Sequence, residues 1–170
     1  LETEVIEKVC DETPGMVSIA NYNCPGQIVI TGEEEAVQTA VEKLTQAGAK
    51  RCVPLKVSGP FHSSLLVGAG EKLAKELETV SINDIQIPYI ANVTADYEIK
   101  KEDVKPLLEK QVSSSVRWQQ TIEKMIMDGV DTFIEIGPGK TLSGFMRKIN
   151  RDVKVLNIEK VEDLEKLREL

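Results

Sequence analysis

Thr132-Phe133-Ile134-Glu135-Ile136-Gly137-Pro138-Gly139-Lys140-Thr141 reads as a short apolar, β-branched strand running into a tight turn. Behind the turn, Leu142, Phe145, Met146 and Ile149 recur at helical spacing. The unit then repeats in kind, with a strand predicted over 153–158 and a charged helix carrying Val161, Leu164 and Leu167. Strands that alternate with helices predict an α/β architecture with a largely parallel sheet in this part of the chain. The Gly139-Lys140-Thr141 step invites a phosphate-loop reading, but the spacing refutes it. A GxxxxGK[ST] loop needs glycine where Ile134 stands, and a GxGxxG loop from Gly137 needs it where Leu142 stands. What is left is a strand-to-helix turn whose glycines permit close backbone approach.

Upstream, a strand is expected over 88–93 and helices over 104–110 and 118–127. Trp118, Ile122, Met125 and Ile126 lie on one side of the second helix, and Gly129 is placed to end it. Another helix is predicted after Ser63, with Leu66, Leu73, Leu77 and Val80 as its stripe. The N-terminal part differs in kind. A helix over 3–12 bearing Val5, Ile6 and Val9 stops at Pro14-Gly15, and strand-like runs at 16–20 and 27–30 flank a turn-forming Asn21-Tyr22-Asn23-Cys24-Pro25-Gly26, which predicts a hairpin. Thr31 with Glu34 has the form of a capping box opening a helix on Val37, Ala40, Val41 and Leu44 that ends at Gly48, and residues 51–57 read as a further strand. Repeats and low-complexity stretches are absent from the sequence.

The chain has 170 residues, 21 Lys+Arg and 28 Asp+Glu, for a formal net charge of −7. A basic protein that tracks phosphates is excluded as the default, so nucleic acid is not an expected partner. With 41% hydrophobic residues, no apolar run approaches the roughly 18 residues of a membrane-spanning helix, and the length suits one domain or two small ones. Cys10, Cys24 and Cys52 are odd in number and lack CxxC spacing, which fits neither a zinc site nor a disulfide scaffold. A reducing cytoplasm and no metal are therefore expected. The opening Leu-Glu-Thr carries no export signal and suggests a piece of something longer.

His62 is the one histidine, in Ser58-Gly59-Pro60-Phe61-His62-Ser63, between a predicted strand and a predicted helix. Loops at such places present reactive groups in α/β folds, and a neutral imidazole can take a proton from a hydroxyl or thiol. A lone histidine is more often a surface or capping residue. Catalysis would need a nucleophile, and these residues contain no GxSxG elbow. Cys24 and Cys52 lie next to or within predicted strands, where apolar packing is the expected role.

Four motifs in order, Asn21-Tyr22-Asn23-Cys24-Pro25-Gly26-Gln27, Gly59-Pro60-Phe61-His62-Ser63, Gln111 ahead of Val116-Arg117-Trp118, and Glu135-Ile136-Gly137-Pro138-Gly139-Lys140, resemble the malonyl-CoA:acyl carrier protein transacylases of fatty acid synthesis. The resemblance runs from the first helix to about Ile149. It implies the C-terminal part of an α/β-hydrolase-like acyltransferase core, residues 58–170, plus a ferredoxin-like α+β subdomain, residues 1–57, lacking its first strand. It implies ping-pong transfer of malonyl from coenzyme A through an acyl-serine to the phosphopantetheine thiol of the carrier protein, with the coenzyme A thioester as substrate and no cofactor. His62 resembles the general base and acid, and Gln111 the residue whose main-chain carbonyl orients the imidazole. Asn23 resembles an asparagine that supports the active site, although a turn residue bonding its own backbone reads equally well. Phe61 resembles the aromatic residue associated with malonyl over branched acyl groups.

The family's GHSxG serine, its oxyanion-hole glutamine and its carboxylate-clamping arginine have no counterpart in these residues. The chain alone is therefore expected to be inactive and to need the N-terminal part as a partner. Ser115 stands where the family often has proline. Two other readings stay open at this point, an acyltransferase domain of a polyketide-type synthase and a non-catalytic carrier-protein-binding module. Because the family's carrier protein is acidic, the expected docking patch is Lys140, Arg147, Lys148 and Arg151, though Arg147, Lys148 and Arg151 would also complement a helix C-terminus.

Overall fold

Cys10, Val17, Ile19, Ala36 and Ala40 close a small hydrophobic core at the N-terminal end of the chain, with Ile6, Val9, Tyr22, Ile28, Ile30 and Val37 packed around it. The computed structural model describes residues 1–169. The core is built by α1 (Thr3–Asp11), β1 (Val17–Cys24), β2 (Gln27–Gly32) and α2 (Glu34–Gln46). β1 and β2 form an antiparallel hairpin turning at Pro25-Gly26, where Gly26 takes φ +76° in open space. The strands run longer than their apolar stretches, so Asn21, Tyr22 and Asn23 are strand residues and not turn residues. α1 is tied to the sheet by Tyr22 Oη donating to Glu7 Oε1 at 2.9 Å, and burial together with that carboxylate pushes the Tyr22 hydroxyl up to about 12.

Three further expectations for this part fail against the structure. Thr31 does not cap α2, because it lies in β2 opposite Ser18. The N-cap is Glu33, without a side-chain cap. Its amide donates to the Met16 carbonyl at 2.8 Å and its Oε2 accepts from the Met16 amide at 3.0 Å, which clasps the start of α2 to the lead-in of β1. Residues 51–57 are not a strand. Their alternation is real, but an extended segment becomes a strand only by pairing, and here Val53, Leu55 and Val57 are exposed with no ladder beside them. Cys52 is exposed too, so its expected packing role fails, whereas Cys24 is buried.

The rest of the chain runs through a 3₁₀ turn (Ser64–Leu66), α3 (Val67–Glu78), β3 (Tyr89–Ile90), β4 (Tyr97–Glu98), α4 (Lys101–Val112), α5 (Trp118–Met127), β5 (Thr132–Ile136), α6 (Thr141–Ile149), β6 (Lys154–Ile158) and a final 3₁₀ segment (Val161–Glu169). α3 and α4 approach closely at Gly70, where a Cβ would stand 3.0 Å from the Glu109 carbonyl oxygen. The expected α3 stripe is only half-buried, and Val80 is exposed. α5 ends as its sequence predicts. Gly129 donates to the Ile126 carbonyl and Val130 to that of Met125, each at 3.0 Å, the paired bonds of a Schellman stop. The last helix is 3₁₀ in form, with Val161 and Leu164 exposed.

β5 and β6 pair in parallel, Thr132 opposite Lys154 through Ile136 opposite Ile158, as the alternating pattern predicts. Among the described residues the strands form three separate two-stranded sheets, so the molecule is mixed α/β with its sheets in pairs. The N-terminal hairpin and the α4–α5 connection meet at β1. Val116 donates to the Ala20 carbonyl at 2.8 Å, and Tyr22 donates to the Val116 carbonyl at 2.9 Å. No helix among the described residues is long and apolar enough to cross a membrane.

Glu135 explains why the Gly137-Pro138-Gly139 turn is not an anion site. Its Oε1 accepts from the Leu142 amide at 3.0 Å and its Oε2 from the Ser143 amide at 2.9 Å and the Ser143 hydroxyl at 2.5 Å. A side-chain carboxylate thus occupies the N-terminus of α6, where a phosphate would otherwise sit. Burial alone would raise this carboxyl, but the donated bonds prevail and hold it below its ordinary range. A carboxyl lowered on folding adds stability above its unfolded value near 4.3, and that share is lost as pH falls through the folded value. Acid titration of the native chain should therefore show a stability step that Glu135→Gln flattens, and identical acid melts for the two would disprove it.

Candidate active site

The loop from Ser58 to Ser63 is drawn tight by the Phe61 amide donating to the Gly59 carbonyl at 2.9 Å and the Ser63 hydroxyl donating to the Pro60 carbonyl at 2.6 Å. Ser63 is fully buried and anchors the loop. His62, between them, takes φ +60°, a left-handed conformation uncommon for a side-chain-bearing residue and found disproportionately at functional sites. Gln111 lies in the last turn of α4, where carbonyls have no amide four residues on to accept from. His62 Nδ1 fills that vacancy, 3.1 Å from the Gln111 carbonyl oxygen.

This contact fixes the tautomer. A carbonyl can only accept, so Nδ1 carries the hydrogen and Nε2 of the neutral ring keeps its lone pair. The ring is thereby prepared to take a proton from a hydroxyl at Nε2 and later return it. His62 lines a cavity of about 590 Å³ together with Ser113, Ser114 and Ser115, Lys110, Arg117, Cys10 and the start of β1. Burial, with Asp11 and Glu7 nearby, pushes the Cys10 thiol up to about 11. It is a packing residue and not a nucleophile. Among the described residues, no cluster of three or more His, Cys, Asp or Glu side chains could hold a metal ion.

The other predicted residues lie apart from this pair. Phe61 is half-exposed beside His62 in sequence but does not line the cavity, and Asn23 sits at the far end of β1 from the stretch that does. Arg147, Lys148 and Arg151 share a second groove of about 610 Å³ with Gly144, Asn150, Val153 and Val155. Lys140 is excluded from it. It precedes α6 and lies roughly 10 Å along the axis from Arg147 at 1.5 Å per residue. Lys148 is partly engaged, donating to Gln27 Oε1 at 3.2 Å. Sequence reasoning missed the Glu135 cap and the hydroxyl of Ser115, which donates to the Ile19 carbonyl at 2.6 Å.

The acyl transferase domain family matches residues 2–166, nearly the whole chain. The chain belongs to that family. The malonyl CoA-acyl carrier protein transacylase of Bacillus subtilis (strain 168) is 46% identical over 168 residues, which are 97% of this chain and 53% of the relative. A crystal structure of MCAT from Streptococcus pneumoniae superposes with a TM-score of 0.94 at 48% identity, covering 99% of this chain and 56% of that one. A malonyl-transacylase solved in complex with its type II PKS acyl-carrier protein gives a TM-score of 0.95 at 37% identity, covering 99% of this chain and 55% of that one. The chain thus spans about half the length of the relatives it matches. The agreement covers both the N-terminal core and the His62 region, so the mixed α/β fold and the acyl transferase resemblance stand together.

Proposed function

We propose that the chain supplies the acid–base half of a malonyl-CoA:acyl carrier protein transacylase, with the serine nucleophile coming from the remainder of the acyl transferase fold. The observation that carries this reading is the bond from His62 Nδ1 to the Gln111 carbonyl, which leaves Nε2 free as the base. In the first half-reaction Nε2 takes the serine proton while the oxygen attacks the malonyl thioester carbonyl. The C–S bond then breaks, and the imidazolium returns its proton to the coenzyme A thiolate. In the second, the ring takes the proton of the phosphopantetheine thiol, sulfur attacks the acyl-serine, and the proton goes back to the serine oxygen. The carbonyl end of α4 carries partial negative charge that steadies the ring while it is positive. No cofactor is required, because the thioester itself provides the driving force.

The separate core of α1, β1, β2 and α2 supports a small subdomain at residues 1–57, docked on a larger one at 58–170 through Val116. The reading places Asn23 near the active site and gives Phe61 the task of excluding an α-methyl group. Methylmalonyl acceptance by Phe61→Ser checks that task. This reading puts the reaction in a reducing cytoplasm, the compartment that the three free cysteines fit. That a 37%-identical neighbour was solved with its carrier protein supports a carrier-binding role for the fold, and the reading assigns that role to the basic groove for its charge. In a chain of net charge −7, local complementarity there would speed encounter more than it would tighten the complex.

One experiment tests chemistry and docking together, with this chain joined to the remainder of the fold. Malonyl-CoA alone should leave a malonyl mass adduct on serine, which holo carrier protein then removes. Arg147→Glu with Arg151→Glu should leave loading unchanged and slow discharge several-fold, with weaker salt dependence. An enzyme that transfers malonyl without ever carrying the adduct would overturn the ping-pong reading. Equal loss of both half-reactions would remove these arginines from the docking surface.

A further inference from the structure

We propose that Ser115 is a positioning residue that latches the Gln111 carbonyl in place for His62, an inference that rests on the acid–base role of His62 given above. Gln111 lies one residue from the end of α4, where the helix has no amide left to bond its carbonyl, so the segment that follows bears on how that carbonyl meets His62. The next fixed points lie downstream. The Ser115 hydroxyl donates to the Ile19 carbonyl at 2.6 Å, the Val116 amide to the Ala20 carbonyl at 2.8 Å, and the Arg117 amide to the Asn92 carbonyl at 2.9 Å. Only the first of these is made by a side chain, and it is the closest of them to Gln111. Val112 closes α4, and just past it the Ser113 amide makes a long bond of 3.3 Å to the Lys110 carbonyl.

β1 is the firm side of the latch. Ile19 and Ala20 are buried, and Ile19 belongs to the N-terminal core. The serine hydroxyl therefore couples the core of the small unit to the orientation of a ring on the other side of the cavity. A proline at this position would stiffen the lead-in by its own ring, whereas serine does it with a hydrogen bond. The titratable and charged groups that face His62 across the cavity are Cys10, Asp11, Lys110 and Arg117, and none of them bonds its ring. Among the described residues, the Gln111 carbonyl alone hydrogen-bonds the ring.

The test reads the ring directly, by nitrogen-15 NMR of the full 170-residue chain at the His62 Nδ1–H. Ser115→Ala should speed exchange of that hydrogen about fivefold, the loss of one ordinary hydrogen bond. Ser115→Thr, which keeps the hydroxyl, should restore the original rate. Slow amide exchange at Val116 and Tyr22 in the alanine variant would show that the strand pairing survives. If Ser115→Ala does not fold, Ser115→Cys keeps the shape with a weaker donor and should shift exchange in the same direction. With the remainder of the fold joined, kcat should fall by the same factor while KM for malonyl-CoA holds. An unchanged His62 signal in a folded variant that has lost the hydroxyl overturns the latch and leaves the acid–base role standing. A normal latch in an enzyme indifferent to His62→Ala overturns the acid–base role instead.

Discussion

Replacing His62 by alanine, in this chain joined to the remainder of the acyl transferase fold, should lower malonyl transfer by roughly 10²–10⁴-fold, the range a positioned general base supplies. On the proposed reading the same Nε2 serves the serine and the phosphopantetheine thiol, so the loss should fall on both half-reactions and appear in kcat more than in KM. Gln111→Ala is the informative contrast. The group that orients His62 is the main-chain carbonyl, which alanine retains, and alanine is the better helix former in the last turn of α4. Activity should then stay within a few-fold of the parent. Measured side by side with intact-mass controls, equal collapse of both variants would mean that the Gln111 side chain acts, against the geometry found here. The 170-residue chain alone should load malonyl no faster than its own His62→Ala control. Faster loading by the parent would place a nucleophile within these residues.

The fold was legible wherever a pattern is satisfied locally. The strand–turn–helix at Thr132–Ile136 and Thr141–Ile149 carries its own apolar spacing and turn glycines, and the hairpin carries its own Pro25-Gly26 turn. Residues 51–57 misled because alternation reports which side chains share a face, not whether a partner strand lies beside them. The Thr31 capping box misled for a related reason. Thr31 had a better use in pairing with Ser18, and Glu33 was drawn to Met16, a partner 17 residues away that spacing rules cannot see. At the site, His62 and Gln111 could be named from the motifs they sit in, but the contact spans 49 residues. In the sequence Ser115 stands out only as a departure from the proline common in the resembled family. Its bond to Ile19 spans 96 residues and follows from the hairpin docking on the α4–α5 connection, a tertiary event without a local signature.

Gly32→Ala should destabilise the chain by roughly 3 kcal/mol, at the upper end of what forced overpacking costs. A Cβ there would overlap the Met16 carbonyl oxygen and stand 2.7 Å from the Val17 Cα. Both are backbone atoms, so no side chain can swing aside. The strand must move, and it is held where Glu33 clasps Met16 and where Val17 enters the N-terminal core. Gly129 provides the comparison, because its φ of +92° disfavours a side chain but a Cβ would meet nothing within 4 Å. Alanine there should cost only about 1 kcal/mol, the conformational term by itself. Urea unfolding of both variants separates the two causes, and equal shifts in midpoint would mean that the β1–β2 contact yields freely. The damage at Gly32 should also travel. Displacing the start of β1 disturbs Ile19 and Ala20, the carbonyls on which Ser115 and Val116 hang, so the His62–Gln111 contact should loosen in Gly32→Ala and stay intact in Gly129→Ala.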